Sequence, residues 1–273
     1  MPELPEVETF VRILKKGTTS QPSVVGKRIT KAQVLWEGVV AKPALNEFIQ
    51  RIQVQEILEV WRRAKYLCFT LTSDTLILHL GMSGDLLVEP TEAPIAKHHR
   101  MVLVLENGLR LAFNDVRKFG RVWLVGDPQE VLADLGPEPL DPAFTARDFY
   151  ANLQRTRRQL KSLLLDQAFL AGIGNIYADE TLHRAGLHPL VISNKLDLPQ
   201  AEKLWAALRQ VLREAIRHNG SSIDWAYRGG NFQDFIRVYR RTGEPCPACS
   251  TPIQRIVLGQ LGTHYCPVCQ PEM

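Results

Sequence analysis

Four of the five cysteines form two Cys-x2-Cys pairs near the end of the 273-residue chain, and this spacing limits the fold more than any other feature. The pairs are Cys246 with Cys249 and Cys266 with Cys269, separated by sixteen residues. Each pair can direct two thiolates at one point, so two pairs on facing turns complete a closed tetrahedral zinc site. A closed site leaves no position for water, so we predict one structural Zn2+. Two disulfides are the alternative, which a reducing compartment disfavours.

Composition and charge indicate a globular chain with an uneven charge distribution. Hydrophobic residues make up 45% and charged residues 23%, which excludes a disordered polymer. No apolar run is long enough to span a membrane, and the first ten residues carry three glutamates instead of a basic signal region, so a cytosolic location is expected. Residues 151–273 have a net charge of +5 against −1 for residues 1–150. This excess suits a polyanionic partner such as nucleic acid, although many basic proteins bind no DNA.

The spacing of apolar residues changes along the chain and predicts two kinds of structure. A short helix is predicted from Pro5, because proline suits a first helical turn and apolar residues then recur at helical spacing. Short apolar runs up to residue 130, with turns such as Asn107-Gly108, predict a β-sandwich or barrel. After a proline-rich segment, apolar residues three and four apart over 146–218 predict helices.

Five short motifs occur in order, and together they carry a family resemblance. They are PELPEVET at 2–9, RAKYL at 63–67, HLGMSG at 79–84, NDVRKFG at 114–120, and DQ with AGIGNIYADE at 166–180. With the four-cysteine ribbon they resemble the formamidopyrimidine-DNA glycosylase and endonuclease VIII family over nearly the whole chain. The resemblance implies a bifunctional DNA glycosylase and AP lyase that excises 8-oxoguanine and formamidopyrimidines from duplex DNA in base-excision repair. We also expect a monomer, because one active site per chain needs no partner subunit, and a location in the bacterial cytosol with no membrane partner.

The predicted fold is a multi-domain α+β protein in four consecutive parts. They are an N-terminal β-sandwich catalytic domain with a flanking helix (1–130), a linker (131–145), a helical helix-two-turn-helix DNA-binding domain (146–235), and a terminal zinc-ribbon β-hairpin (236–273).

The amino terminus offers a nucleophile. Removal of Met1, which the small Pro2 permits, exposes a secondary α-amine. The pKa of an α-amine is about 7.7–8.0 against about 10.4 for lysine, so far more of it is neutral at pH 7. Attack on the deoxyribose anomeric carbon expels the base and leaves an iminium, which acidifies the neighbouring sugar proton. The alternative is that Pro2 and Glu3 only lead into a helix.

Three further side chains receive catalytic roles through the resemblance. Glu3 is the catalytic carboxylate, which handles protons beside the nucleophile. Lys65 in the RAKYL block is the proton donor for β-elimination, although an exposed lysine at a strand start is usually only solvated. Glu6 either joins the proton relay or only stabilises the helix dipole.

Everting a nucleotide leaves a void in the duplex that the protein has to fill. Met82, Arg117 and Phe119 match the family's void-filling residues, while His98 and Lys118 match positions that contact DNA. The alternative for Met82 and Phe119 is a place in the core, although the neighbouring glycines favour turns.

In the helical half, the resemblance implies a tight corner at Gly172–Asn175, where small residues let Asn175 approach a phosphate. Lys161 and nearby arginines, Arg157 among them, are predicted to form a cationic helix face against the DNA backbone, or an ordinary solvated face.

Two departures from the family pattern affect the expected activity. Leu261 stands where the family has an arginine that grips phosphates and is assigned the δ-elimination, so we expect weaker binding and impaired δ-elimination. The stretch from Ser221 to Gln233 is somewhat shorter than the family's loop over the flipped base, which leaves the base preference open. An AP-site lyase and a non-catalytic binder of damaged DNA are therefore alternative functions.

Overall fold

The computed structural model describes residues 1–18, 22–222 and 229–272. The helices are α1 (Leu4–Lys16), α2 (Leu45–Ile52), α3 (Gln129–Leu132), α4 (Ala146–Gln154), α5 (Leu160–Leu164), α6 (Asn175–Ala185) and α7 (Leu198–Arg217). The strands are β1 (Ile29–Val34), β2 (Val40–Lys42), β3 (Ile57–Arg63), β4 (Tyr66–Leu71), β5 (Thr75–His79), β6 (Gly84–Pro90), β7 (His99–Leu105), β8 (Leu109–Asp115), β9 (Arg121–Val125), β10 (Gln254–Leu258) and β11 (Leu261–Tyr265).

The chain divides into two compact units. The first comprises Met1–Asp134 and Asn219–Gly230, and the second comprises Leu135–His218 and Asn231–Met273. The segment Asn219–Gly230 falls within the predicted helical domain but belongs to the first unit, where the Ser221 N–H donates to Glu6 Oε1 at 2.7 Å. The other predicted domain boundaries stay a proposal.

The first unit contains two sheets that share one core, which confirms the predicted sandwich. The sheets have the orders β1-β7-β8-β6 and β2-β9-β5-β4-β3, and only the β2–β9 pair is parallel. Phe69 from one sheet and Phe113 from the other lie in the same buried cluster as Phe10 of α1. Because strand side chains alternate between faces, each sheet contributes every second residue to this core.

The second unit joins four helices to a hairpin. Thr145 and Asp148 form a capping box that begins α4, and Gly186 ends α6 in the left-handed conformation. The two-residue loop between β10 and β11, Gly259-Gln260, has φ values of 53° and 67°, as a tight hairpin turn requires. Among the described residues, no helix combines the length and the apolarity needed to cross a bilayer.

Candidate active site

The start of α1 buries two carboxylates beside Pro2, which is itself buried. Glu3 and Glu6 are each only 2% exposed. Glu6 accepts two backbone hydrogen bonds: the Glu3 N–H donates to Oε2 at 2.8 Å, and the Ser221 N–H donates to Oε1 at 2.7 Å. Gly220 has a φ of +75°, and a Cβ on it would lie 2.6 Å from Glu6 Oε1. Glu6 therefore ties the Pro2 end of α1 to Gly220 and Ser221.

Lys65 enters the same buried cluster from the turn between β3 and β4. Its side chain is 6% exposed, so the alternative of a solvated lysine is excluded. Burial lowers the pKa of Lys65, while the negative charges of Glu3 and Glu6 act in the opposite direction. A buried amine beside two carboxylates, with a pKa below its ordinary value, is a group that can donate and accept protons in general acid–base chemistry.

His79 is a further member of this cluster that sequence reasoning missed. It ends β5 opposite Tyr66, and burial together with the nearby charge of Lys65 lowers its pKa to about 4. Its Nδ1 accepts the Gly81 N–H at 3.2 Å, so the neutral ring carries its proton on Nε2. The available signal was the position of His79 in the HLGMSG motif, three residues before Met82.

Two adjacent loops expose apolar side chains on the first unit. Met82 is 41% exposed and Phe119 is 50% exposed, which excludes the alternative that they are core residues. The Arg117 guanidinium lies over the Phe119 ring, 5.0 Å from its centroid. Close approach fixes the loops side by side, because a Cβ on Gly81 would lie 2.7 Å from Gly120 N.

Asp115 anchors both loops, and sequence reasoning gave it no role. It is 1% exposed and accepts hydrogen bonds from Ser83 Oγ at 2.6 Å, from Gly120 N at 2.8 Å and from Arg117 N at 3.1 Å. The carboxylate thus sets the positions of the loop that carries Met82 and the loop that carries Phe119.

The other two predicted DNA-contact residues of this unit also lie at its surface. Lys118 is exposed, with a φ of 61° and its Nζ 5.4 Å from the centroid of the Trp36 ring. His98 is half-buried, with its Nδ1 at 3.3 Å from Arg100 Nη2. Of the predicted short loop between Ser221 and Gln233, residues 223–228 lie outside the described residues.

The predicted cationic helix face in the second unit is wrong. Residues 155–159 interrupt the helical stretch between α4 and α5, so the exposed Arg157 lies on an irregular connection. Lys161 has no exposed surface: its Nζ pairs with Asp179 Oδ1 at 2.5 Å and donates to the Asn175 carbonyl at 3.0 Å. The charge of Lys161 is neutralised inside the unit and supports the start of α6.

Two consecutive carboxylates on α6, Asp179 and Glu180, hold the C-terminal segment. Asp179 Oδ2 accepts the His264 N–H at 2.9 Å, and Glu180 accepts the N–H groups of Arg237, Val238 and Tyr239, each at 2.9 Å. Asn175, the first residue of α6, donates from Nδ2 to the Gly262 carbonyl at 3.0 Å. The tight corner and the hairpin β10–β11 therefore form one connected structure.

The four paired cysteines converge on one point in the second unit. Their Sγ atoms lie within 4.8 Å of one another, with separations such as 3.9 Å for Cys246–Cys269 and 3.4 Å for Cys249–Cys266. Zn–S bonds of about 2.3 Å in a tetrahedron require S–S separations of about 3.8 Å, so the set fits zinc.

One histidine contacts this sulfur set from α6. His183 is buried, and its Nε2 lies 3.4 Å from Cys246 Sγ. An N–H donor at this position reduces the negative charge of a thiolate and fixes its orientation.

Comparison with known families covers nearly the whole chain. The profile of the formamidopyrimidine-DNA glycosylase N-terminal domain matches residues 1–122, the profile of the formamidopyrimidine-DNA glycosylase H2TH domain matches 135–226, and the zinc finger found in FPG and IleRS matches 243–271.

Relatives and solved structures agree with these matches. The formamidopyrimidine-DNA glycosylase of Chloroflexus aurantiacus is 44% identical, covering 100% of this chain and 99% of that protein, and the one of Protochlamydia amoebophila is 40% identical over the full length of both. The Lactococcus lactis enzyme in complex with Fapy-dG-containing DNA superposes with a TM-score of 0.91 at 34% identity, over 99% of this chain and 100% of that one. Its complex with abasic-site DNA has a TM-score of 0.90 at the same identity and coverage.

Proposed function

Because the chain belongs to the formamidopyrimidine-DNA glycosylase family, we propose that it excises oxidised purines from duplex DNA and then cleaves the abasic strand through a Schiff base on Pro2. It is a DNA repair enzyme of the glycosylase and AP lyase class, and its four paired cysteines form one structural zinc site. The observation that carries the proposal is the buried cluster of Pro2, Glu3 and Lys65 at the start of α1.

The chemistry follows from the groups in this cluster. With Met1 removed, the Pro2 nitrogen attacks sugar carbon C1′, and the bond to the base breaks with its electron pair leaving on the base. The nitrogen then loses its proton, and its lone pair forms the C1′=N bond as the C1′–O4′ bond breaks and O4′ takes up a proton, which opens the sugar ring. The resulting iminium draws electrons from the adjacent carbon, so loss of a proton there expels the 3′ phosphate in β-elimination. Glu3 and Lys65 transfer the protons, and the lowered pKa of the buried Lys65 brings it closer to neutral pH.

The exposed loops support a role in base eversion. Met82 and Phe119 are apolar side chains held outside the core, and the Arg117 cation lies directly beside one of them. We infer that the two apolar side chains replace base stacking and that Arg117 pairs with the orphaned base. His98, Lys118, Arg157 and Asn175 are proposed to contact DNA, whereas Lys161 acts only from inside the protein.

Leu261, one of the two departures from the family pattern, affects the products that we expect. Leu261 is 40% exposed at the start of β11 and carries no charge, so we propose that δ-elimination is impaired and the β-product accumulates. We also propose that one chain suffices for the reaction, since every catalytic residue named above lies in one unit. A cytoplasmic location is likewise proposed.

Borohydride trapping tests this function. Protein with verified Met1 removal is incubated with duplexes containing 8-oxoguanine, formamidopyrimidine or an abasic site, and with an undamaged duplex. We expect covalent adducts with all three lesions, and at least about a hundredfold slower trapping for Glu3→Gln. Glu47→Gln is the matched control, because it removes the same charge from helix α2, where the exposed Glu47 pairs with Arg51. Adducts with abasic DNA alone would support the AP-lyase alternative, and no adducts would support the non-catalytic binder.

A further inference from the structure

The hairpin β10–β11 and the cysteine turns around it contain very little positive charge. Between residues 242 and 273 the chain has a single Lys or Arg, which is Arg255. Arg255 is exposed on β10 and pairs in register with His264 of β11. If this part of the protein attracts a phosphate through a cationic side chain, Arg255 is the residue that provides it.

The Arg255 guanidinium occupies the space that a side chain at position 262 would need. A Cβ on Gly262 would be 2.9 Å from Arg255 Nε and 3.0 Å from Nη2, so a larger residue there would displace the guanidinium. The carbonyl of Gly262 accepts the hydrogen bond from Asn175 Nδ2 at 3.0 Å. Gly262 is therefore a common neighbour of the Arg255 side chain and of Asn175, the first residue of α6.

The charge of Arg255 is not neutralised by a neighbouring acid. Within the described ranges, Arg255 has no hydrogen bond and no ion pair with another residue. The nearby buried carboxylate of Asp179 is already engaged by Lys161 and His264. An exposed guanidinium without a counter-charge is suited to a two-pronged hydrogen bond with a phosphate.

We propose that Arg255 binds a backbone phosphate of the DNA and supplies the charged contact that the apolar Leu261 does not make. The proposal rests on the proposed function, because it takes DNA to be the partner. Leu261 alone predicts one phosphate contact fewer and therefore weaker binding. With Arg255 in contact with a phosphate, the salt dependence of binding still includes that contact, and Leu261 impairs only δ-elimination.

The salt dependence of binding tests the proposal. Affinity for a duplex with a tetrahydrofuran abasic analogue is measured by fluorescence anisotropy between 50 and 200 mM KCl. We expect Arg255→Gln to reduce the slope of log K against log[salt] by about 0.9 and to weaken binding about tenfold. Arg213→Gln is the matched control, because it removes the same charge from an exposed position on α7 and should leave both quantities unchanged.

Two further variants separate charge from structural damage. Arg255→Lys retains the charge and should keep the natural slope, and Leu261→Arg added to Arg255→Gln should restore it. Zinc content of each variant shows whether the cysteine site is intact. The proposal is overturned if Arg255→Gln, with its zinc retained, has the slope of Arg213→Gln. Borohydride trapping of the natural protein is run in parallel. A lack of covalent adducts would refute the proposed function, whereas it would not refute the contact between Arg255 and a DNA phosphate.

Discussion

Replacement of Asp179 by leucine removes the carboxylate that joins three parts of the second unit. The side chains of Asp179 and Lys161 are both 0% exposed and their charged atoms are 2.5 Å apart. Loss of one partner of a buried ion pair costs about 3–5 kcal/mol. The backbone N–H of His264, which donates to the same carboxylate, is left unpaired at a further cost of about 1–3 kcal/mol. We therefore expect Asp179→Leu to lower the free energy of unfolding by about 4–8 kcal/mol.

Urea unfolding of the zinc-loaded protein, followed by circular dichroism, measures this loss. The double variant Lys161→Met with Asp179→Leu no longer buries an unpaired ammonium, so it should recover about 3 kcal/mol relative to the single variant. Asp166→Asn serves as the control, because Asp166 pairs with Arg158 at the surface and should cost less than about 1 kcal/mol. A double variant that unfolds at the same urea concentration as Asp179→Leu, or a lower one, would refute the reasoning.

Three other variants test separate parts of the account. Burial lowers the pKa of His79 to about 4. Between pH 6.5 and 4 the unfolded chain therefore binds a proton that the folded protein does not, and the free energy of unfolding falls as the pH falls. The urea midpoint of His79→Gln should decline less over this range than that of the natural protein. Asp115→Asn weakens the anchor shared by the two exposed loops, so single-turnover excision of 8-oxoguanine should slow about tenfold. Cleavage of a pre-formed abasic site should slow less, and equal losses on the two substrates would contradict this. His183→Phe removes the donor to Cys246, and zinc transfer to a chromogenic chelator should become faster; an unchanged rate would show that the contact has no effect on the metal.

The sequence predicted those features that depend on local spacing. Short apolar runs such as the one at Tyr66–Leu71 predicted the strands of a sandwich, because the length and composition of a run are local features. The two Cys-x2-Cys pairs marked the metal site in the same way, since the geometry of each pair is local. Strands β2 and β3 and helix α2 were not predicted, because they are short or lack a regular apolar period.

Features that depend on distant partners could not be predicted. Lys161 has the spacing of a helix-surface residue, and only the fold brings it to Asp179, eighteen positions further on. The role of Asp115 is likewise not visible in its own motif, because its partner Ser83 lies 32 positions away in the sequence and meets it only in the fold. The burial of Lys65 and Glu6 in one cluster follows from tertiary packing, which raises or lowers a pKa without any local sequence signal.

Peptide mapping of the borohydride-reduced adduct tests the central claim most directly. After trapping on abasic-site DNA, the protein is digested with a protease and a nuclease, and the peptide that carries the sugar remnant is identified by mass spectrometry. We predict that the remnant is attached to the nitrogen of Pro2 in a peptide that lacks Met1. Attachment to Lys65 or to any other residue, with Pro2 unmodified, would contradict the account.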